Sequence, residues 1–598
     1  MSDQIKHECA VTLLRLRRSL DHYIRKYGTP YYGFQKMALL LEKQHNRGQD
    51  GAGLGCVGLD PMPGFPCYQL EKSNTRPCLA DLLEKIGREI PPMPEKPLTG
   101  EEAKHNLPFC GELYLGHLRY GTFGRSGINA CHPFVRENAC LNRTLMLAGN
   151  FNLTDTAEIF RTLQATGHHP SSRQDGALIL QLIGHCLELM RDRKQYNFDL
   201  AEVLKMAAER FDGAFTLCGI LGDGESFALR DSAGIRPGYY YFDDEVVVVS
   251  SERPAIQAAF DCTSAEVNEL PPGEALIIQP DGTVQFRPCL PPKPLRRCVF
   301  ERIYFSRGND ADIHHERKAL GRTLAPAILR EVNYDWENTL FSYIPNTAQI
   351  SFHGLLEALQ EECWRTTPAG TMPRVRFGQI AVKDAKFRTF IADAEARREF
   401  YMHIYDVTYG LVRPGSDSLV VVDDSIVRGN TMRSAILPIL DRLAPRKIVI
   451  ASAAPPIRYP DCYGIDMANL RELVAFEAVV DLLRASGKLD LLDRCYRQAK
   501  ELLQKKLEDQ TAGINCVRPL YDAFSDEELT RAIAERLKPE GLRAELALVF
   551  QSCEDLARCC PEHRGDWYFT GDYPTPGGFR VVNRALVNYV ENRDERAY

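Results

Sequence analysis

At 598 residues the chain is too long for one hydrophobic core, and two or three domains are expected. Its 44% hydrophobic and 26% charged residues are ordinary for a globular protein, and a net charge of −7 argues against nucleic acid or an anionic membrane as partner. No apolar run approaches the ~20 residues of a membrane span, Met1 to Arg18 lacks a secretory pattern, and the 19 cysteines are irregularly spaced, so a cytoplasmic protein with reduced thiols is expected.

In chain order, the first region (9–281) mixes short strands with helices. Pro61 to Pro66 and Pro91 to Pro97 read as surface insertions, and Glu245 to Ser250 as a buried strand. Pro271-Pro272 and Pro288 to Pro294 mark the exit from this region. In the second (298–478), the apolar runs Leu419 to Val422 and Lys447 to Ile450 flank a helical stretch, Met432 to Leu443, which predicts a parallel sheet with crossovers. The third (479–598) is charged and helical through Asp526 to Leu537, then loosens into Gly/Pro-rich turns from Gly571 to Gly578. No repeat of 20 to 50 residues is present, which excludes a solenoid.

The most informative string is Val420-Val421-Val422-Asp423-Asp424-Ser425-Ile426-Val427-Arg428-Gly429-Asn430-Thr431. A buried strand ends in two carboxylates, and a loop with hydroxyl and Gly residues then opens a helix. Ligands of parallel sheets bind at the carboxyl ends of strands, where backbone N–H groups and a helix N-terminus receive phosphate. Asp423 and Asp424 add oxygen ligands for ribose hydroxyls or for Mg²⁺. A lone Asp-Asp-Ser would read as an acidic turn; the full string resembles the phosphoribosyl-pyrophosphate signature of type I phosphoribosyltransferases. That resemblance makes Asp423, Asp424, Ser425, Arg428, Gly429 and Thr431 the expected contacts to phosphoribosyl pyrophosphate, with the two aspartates as metal ligands. Asn430 departs from the small hydroxyl residue commoner at its position.

Near the other end, Glu8-Cys9-Ala10 puts a cysteine close behind the initiator. With residues 1–8 removed, Cys9 would carry a thiol beside a free α-amine of pKa ~8, able to act as its base. Three strings follow in order: Gln44-His45-Asn46-Arg47-Gly48-Gln49-Asp50, Gly116-His117-Leu118-Arg119-Tyr120-Gly121-Thr122 and Ala148-Gly149-Asn150-Phe151-Asn152-Leu153-Thr154. Together with Cys9 they resemble the N-terminal-nucleophile glutaminase domain of class II glutamine amidotransferases. The resemblance implies Cys9 as nucleophile, Arg119 on the glutamine carboxylate, Asp175 on its amino group, and Asn150 with the N–H of Phe151 as oxyanion hole. Singly, Arg119 reads equally as a salt-bridge residue, Asn150 as a turn residue and Asp175 as a helix cap. Ala10 and Phe151 stand where glycine is common, Phe151 could narrow the pocket, and Asn46 is an extra residue.

The joint arrangement resembles the amidophosphoribosyltransferase family from Glu8 to about Glu477. Further matches are Arg230 to Pro237, Cys298 to Arg307 and Tyr463 to Met467, with Tyr568 to Pro574 matching a tail motif. The implied fold class is α/β: an α+β N-terminal-nucleophile hydrolase sandwich followed by a parallel-sheet phosphoribosyltransferase domain. The implied reaction makes 5-phosphoribosylamine, glutamate and pyrophosphate, the first step of de novo purine biosynthesis. Glutamine and phosphoribosyl pyrophosphate are the expected small-molecule partners, Mg²⁺ the cofactor and a homo-oligomer the assembly. Some relatives hold an iron–sulfur cluster, which needs four thiolates. Here Asp461 and Tyr568 stand at cysteine positions and Cys462 is one residue out of register, so no cluster is expected. Ala348 replaces a hydroxyl residue near the metal, and Lys383 to Ile391 resembles the start of the loop that closes over the family's ammonia passage. A rival reading, motivated by Ala10, Phe151 and Asn430, is a non-catalytic regulatory protein sensing phosphoribosyl pyrophosphate or nucleotides.

Overall fold

The computed structural model describes residues 8–92, 98–121, 127–190, 198–368, 370, 372, 374–383, 405–465, 467–505 and 513–597. The family loop beginning near Lys383 lies mostly outside them, as does part of the Pro91 to Pro97 insertion. The chain forms two compact units, residues 8–298 with 462–465, and residues 299–461 with 467–597.

In the first unit, strands β1 (Ala10–Leu16), β2 (Gly51–Val57), β3 (Tyr68–Ser73) and β4 (Leu113–Arg119) share an antiparallel sheet with β9 (Tyr239–Phe242), β10 (Val246–Ser250) and β11 (Asn268–Glu269). A second antiparallel sheet holds β5 (Phe134–Arg136), β6 (Leu145–Leu153), β7 (Gly213–Leu221), β8 (Ser226–Arg230), β12 (Glu274–Ile278) and β13 (Val284–Pro288). Period-2 alternation makes the layers. Val11 and Leu13 of β1, Met146 and Ala148 of β6 and Val247 and Val249 of β10 form a core between the sheets. Their neighbours Leu14, Leu16 and Val248 face one outer helical layer, while Leu145 and Leu147 face the other, which includes the helix Asp175–Leu189. The result is a four-layer helix–sheet–sheet–helix sandwich.

The second unit is built on a five-stranded parallel sheet in the order β15-β14-β18-β19-β20. Its strands are β14 (Thr339–Tyr343), β15 (Arg376–Phe377), β18 (Ser418–Asp423), β19 (Lys447–Ser452) and β20 (Glu545–Phe550), while β16 (Ala381–Lys383) and β17 (Tyr405–Val407) pair separately. Helices Ala311–Glu331 and Gln349–Thr366 pack on one face through Leu324, Ile328, Phe352 and Leu355 against Phe341, Val420 and Val449. Leu419, Val421, Ile448 and Ile450 are buried on the other face. Burial on both faces explains why β18 and β19 read as unbroken apolar runs. Residues 479–597 belong to this unit and supply β20.

One stretch differs from expectation. Gly571 to Gly578 is not all turn: a helix, Pro576–Val590, begins inside it. Thr575 caps that helix by accepting the Gly578 N–H at 3.2 Å, and Pro576 at the first position loses nothing, because its missing N–H would have been unpaired there. The helical stretch expected over Met432 to Leu443 is present as a π-helical turn, Met432–Ile436, continued by the α-helix Leu437–Asp441.

Candidate active site

Strand parity decides which side chains meet in the first unit. Cys9 lies one residue ahead of β1 and shares a face with Val11 and Leu13. Arg119 closes β4 on the face of Leu113 and Leu115, and Asn150 continues the row of Met146 and Ala148 on β6. All three therefore project into the layer between the sheets. The Cys9 sulfur is flanked by the Tyr120 backbone, with the N–H at 3.4 Å and the carbonyl at 3.9 Å. Burial pushes its thiol up to about 11; Arg119 and Arg47 pull it down and Asp175 raises it, so these charges surround one sulfur.

The Gln44 to Asp50 string packs beside β1 and the end of β4. Gln44 donates to Thr12 Oγ1 at 2.8 Å, and Asp50 accepts the Gly121 N–H at 3.2 Å. A Cβ on Gly48 would lie 2.3 Å from the Arg119 carbonyl carbon, so no larger residue fits without moving β4. Asn46, the extra residue, donates to Glu252 at 2.7 Å, beside the Arg47 Nε contact to the same carboxylate at 2.8 Å.

Asp175 starts the helix Asp175–Leu189 and accepts its neighbour's N–H, from Gly176, at 2.9 Å. Burial raises its carboxyl to about 6, against those backbone N–H groups and Arg119. The Phe151 ring stacks on His132 (centroids 5.2 Å apart) and packs into the outer core on that sheet's helical side. His132 also stacks on His117 at 3.9 Å, and burial depresses both imidazoles, His117 to about 3, so this aromatic pile is neutral at pH 7.

Glu8 is the participant that reading the sequence missed. Its buried carboxylate accepts from Asn150 Nδ2 at 3.1 Å, lies 3.6 Å from Arg47 and pairs with Arg236. Its place next to Cys9 is the one signal in the sequence, and Arg236 lies far off in the Arg230 to Pro237 string. The first unit's segment 462–465 closes in beside it: Asn152 donates to the Cys462 carbonyl at 2.6 Å, and a Cβ on Gly464 would lie 2.5 Å from the Arg236 guanidinium.

In the second unit, β18 delivers Asp423 to the carboxyl end of the sheet. Asp423 accepts the Asp424 N–H at 2.9 Å, and Ser425 Oγ donates to Asp424 at 3.0 Å. Burial lifts the Asp424 carboxyl to about 6, opposed by Ser425 and Arg317. Arg428 pairs with Glu472, and the Val427 carbonyl accepts the Val474 N–H at 3.0 Å. Gly429 adopts φ +72°, and a Cβ there would sit 2.1 Å from Leu537 Cδ2, at the end of the helix Asp526–Leu537. Thr431 is half-buried and leads into the π-helical turn. Two adjacent buried carboxylates form a hard-oxygen donor set that fits Mg²⁺, whose charge would favour the ionised form that burial penalises.

At the positions where thiolates would serve a cluster, Asp461 is buried and accepts from Trp567 Nε1 at 2.8 Å. The Tyr568 hydroxyl donates to the Gly565 carbonyl and accepts the Phe300 N–H, each at 3.1 Å.

Residues 129–258 match the model of a glutamine amidotransferase domain, a span that includes Asn150, Phe151 and Asp175. An amidophosphoribosyltransferase of Pasteurella multocida is 27% identical over 79% of this chain and 85% of its own. That of Saccharomyces cerevisiae is 28% identical over 75% of this chain and 87% of its own. Over most of its length the chain is therefore similar to amidophosphoribosyltransferases. Among solved structures, the glutamine phosphoribosylpyrophosphate amidotransferase of B. subtilis, complexed with ADP and GMP, superposes with a TM-score of 0.62 at 22% identity, covering 95% of this chain and 97% of that one. The fold likeness therefore extends over both units and the C-terminal residues. No helix among the described residues is long and apolar enough to cross a membrane.

Proposed function

We propose that the chain is a glutamine-dependent amidophosphoribosyltransferase, converting phosphoribosyl pyrophosphate, glutamine and water to 5-phosphoribosylamine, glutamate and pyrophosphate. What supports this reading is the presence of two motif sets in one chain: Cys9 with Arg119 and Asp175 acting on its sulfur and Asn150 on the inner face of β6, and Asp423 to Thr431 at the end of a parallel strand.

In the uncut chain Cys9 has no free amine, its thiol is neutral at pH 7, and Glu8 occupies the Asn150 amide. Removal of residues 1–8 reverses all three conditions. The α-amine then takes the thiol proton, the thiolate attacks the glutamine amide, and the amine returns a proton to departing ammonia. Asn150 and the Phe151 N–H hold the oxyanion, Arg119 the α-carboxylate and Asp175 the ammonium. Water then hydrolyses the γ-glutamyl thioester to glutamate.

Ammonia attacks C1 of the ribose as pyrophosphate leaves. The N–H groups of the loop Asp424 to Asn430 would receive the 5-phosphate, with Ser425, Gly429 and Thr431 shaping that cradle, while Asp423 and Asp424 hold the ribose hydroxyls or Mg²⁺. Mg²⁺, when bound, neutralises charge on the pyrophosphate. Cytoplasmic location and homo-oligomeric assembly belong to the same proposal. The test is glutamate release dependent on phosphoribosyl pyrophosphate, with the intact mass reporting loss of residues 1–8. Binding of phosphoribosyl pyrophosphate without glutamine turnover or use of added ammonia would instead support the sensor reading.

A further inference from the structure

Away from both sites, three metal-ligating side chains meet on the first unit's outer helical layer. His185 and Glu188 are one turn apart on the helix Asp175–Leu189, three residues being the spacing that puts side chains on one face. His168 comes from the preceding connection, where Gly167 at φ +87° reverses the chain and the His168 N–H bonds the Leu163 carbonyl at 2.9 Å. His168 Nε2 lies 3.0 Å from His185 Nδ1, and one ligand atom from each of the three residues falls within 4.8 Å of the others. The imidazoles are half-buried and Glu188 is exposed, so an ion could enter from solvent.

We propose that His168, His185 and Glu188 form a binding site for a borderline-soft divalent cation of the Zn²⁺ class. Metal–nitrogen bonds of about 2.0–2.1 Å at a tetrahedral angle put two ligand nitrogens about 3.3 Å apart, so the imidazoles need part by only about 0.3 Å. Burial and its histidine neighbour keep His185 below its ordinary range, leaving a lone pair to donate at pH 7. Two imidazoles and one carboxylate select Zn²⁺, Cu²⁺ or Ni²⁺ over Mg²⁺, which prefers oxygen ligands. The opposing group is Arg136, whose guanidinium pairs with Glu188. A bound ion would tie the connection before this helix to the helix itself, about 15 Å along the axis from Asp175 at ~1.5 Å per residue. The competing account is a neutral histidine pair, one ring donating to the other.

The test is a Zn²⁺ titration of the full chain against a chromophoric chelator, with Mg²⁺ in excess. His168→Gln and His185→Gln should each weaken one equivalent by about tenfold or more, while His105→Gln leaves the titration unchanged. Arg136→Gln should tighten that equivalent by freeing Glu188. Zn²⁺ should raise the Tm of the parent chain and not of either site variant, with circular dichroism confirming that all fold. Parent-like titration of both site variants, or displacement by Mg²⁺, would overturn the site in favour of the neutral pair.

Discussion

The two candidate sites are assembled in opposite ways. The candidate phosphate loop is one string of consecutive residues, Asp423 to Thr431, even though Glu472 and Leu537 pack against it. The thiol pocket collects Cys9, Arg119, Asn150 and Asp175 from two strands, the approach to a third and a helix start, across 167 positions of chain. A contiguous site can be recognised from its own residues. A dispersed one is recognised only if several weak signals keep their order, and it depends on strand parity: a one-residue slip in β1, β4 or β6 would turn its side chain to the opposite face.

The comparison breaks most sharply at Cys9. Cys9→Ala should abolish glutamine-dependent product while leaving the reaction with added ammonia intact; persistence of glutamine use would move the nucleophile elsewhere. Replacing Asp423 and Asp424 together by Asn should instead cost both reactions, by about two orders of magnitude or more. Loss of the glutamine reaction alone would remove these residues from the transferase site.

Glu8 gives the next largest effect. In chains whose mass shows residues 1–8 retained, Glu8→Gln leaves Arg47 and Arg236 without its charge. It should lower the unfolding free energy by about 3–5 kcal/mol, read from the urea midpoint, and an unchanged midpoint would contradict that network. Asp424 tests a smaller quantity with the opposite sign. Its carboxyl is raised when folded, so its ionised form destabilises the fold above pH 6, and the penalty vanishes below the unfolded value near pH 4. Asp424→Asn should therefore raise metal-free stability by about 3 kcal/mol at pH 8 and by far less at pH 4. Equal effects at both values would mean that hydrogen bonding, not charge, dominates. Smallest is Asp175: with its carboxyl near 6, KM for glutamine should climb as pH falls through that value while kcat in saturating glutamine changes less.

The legible parts of the fold share a physical cause. The strands at Val246–Ser250, Ser418–Asp423 and Lys447–Ser452 are buried on both faces and so stand out as β-branched runs. The helix Asp526–Leu537 announces itself with a Ser525 to Glu528 capping box. Glu545–Phe550 was illegible as a strand because its pairing with β19 comes from about 98 positions upstream and nothing local requires it. The pocket's residues were nameable from ordered motifs, but the Glu8 network was not. Two arginines and an asparagine converge on that carboxylate from β6, the middle of the Gln44 to Asp50 string and the turn after β8. No spacing rule links those places.

The strand β20 bears on how far the chain could be shortened. It forms one edge of the parallel sheet, and the helix just before it presses Leu537 against Gly429 in the phosphate loop. A chain ended near residue 479 would bare the row Ile448, Val449 and Ile450 along an unpaired rim, a template for adhesion between copies. Such a fragment would precipitate before its chemistry could be measured, so the smallest usable transferase piece must carry its tail.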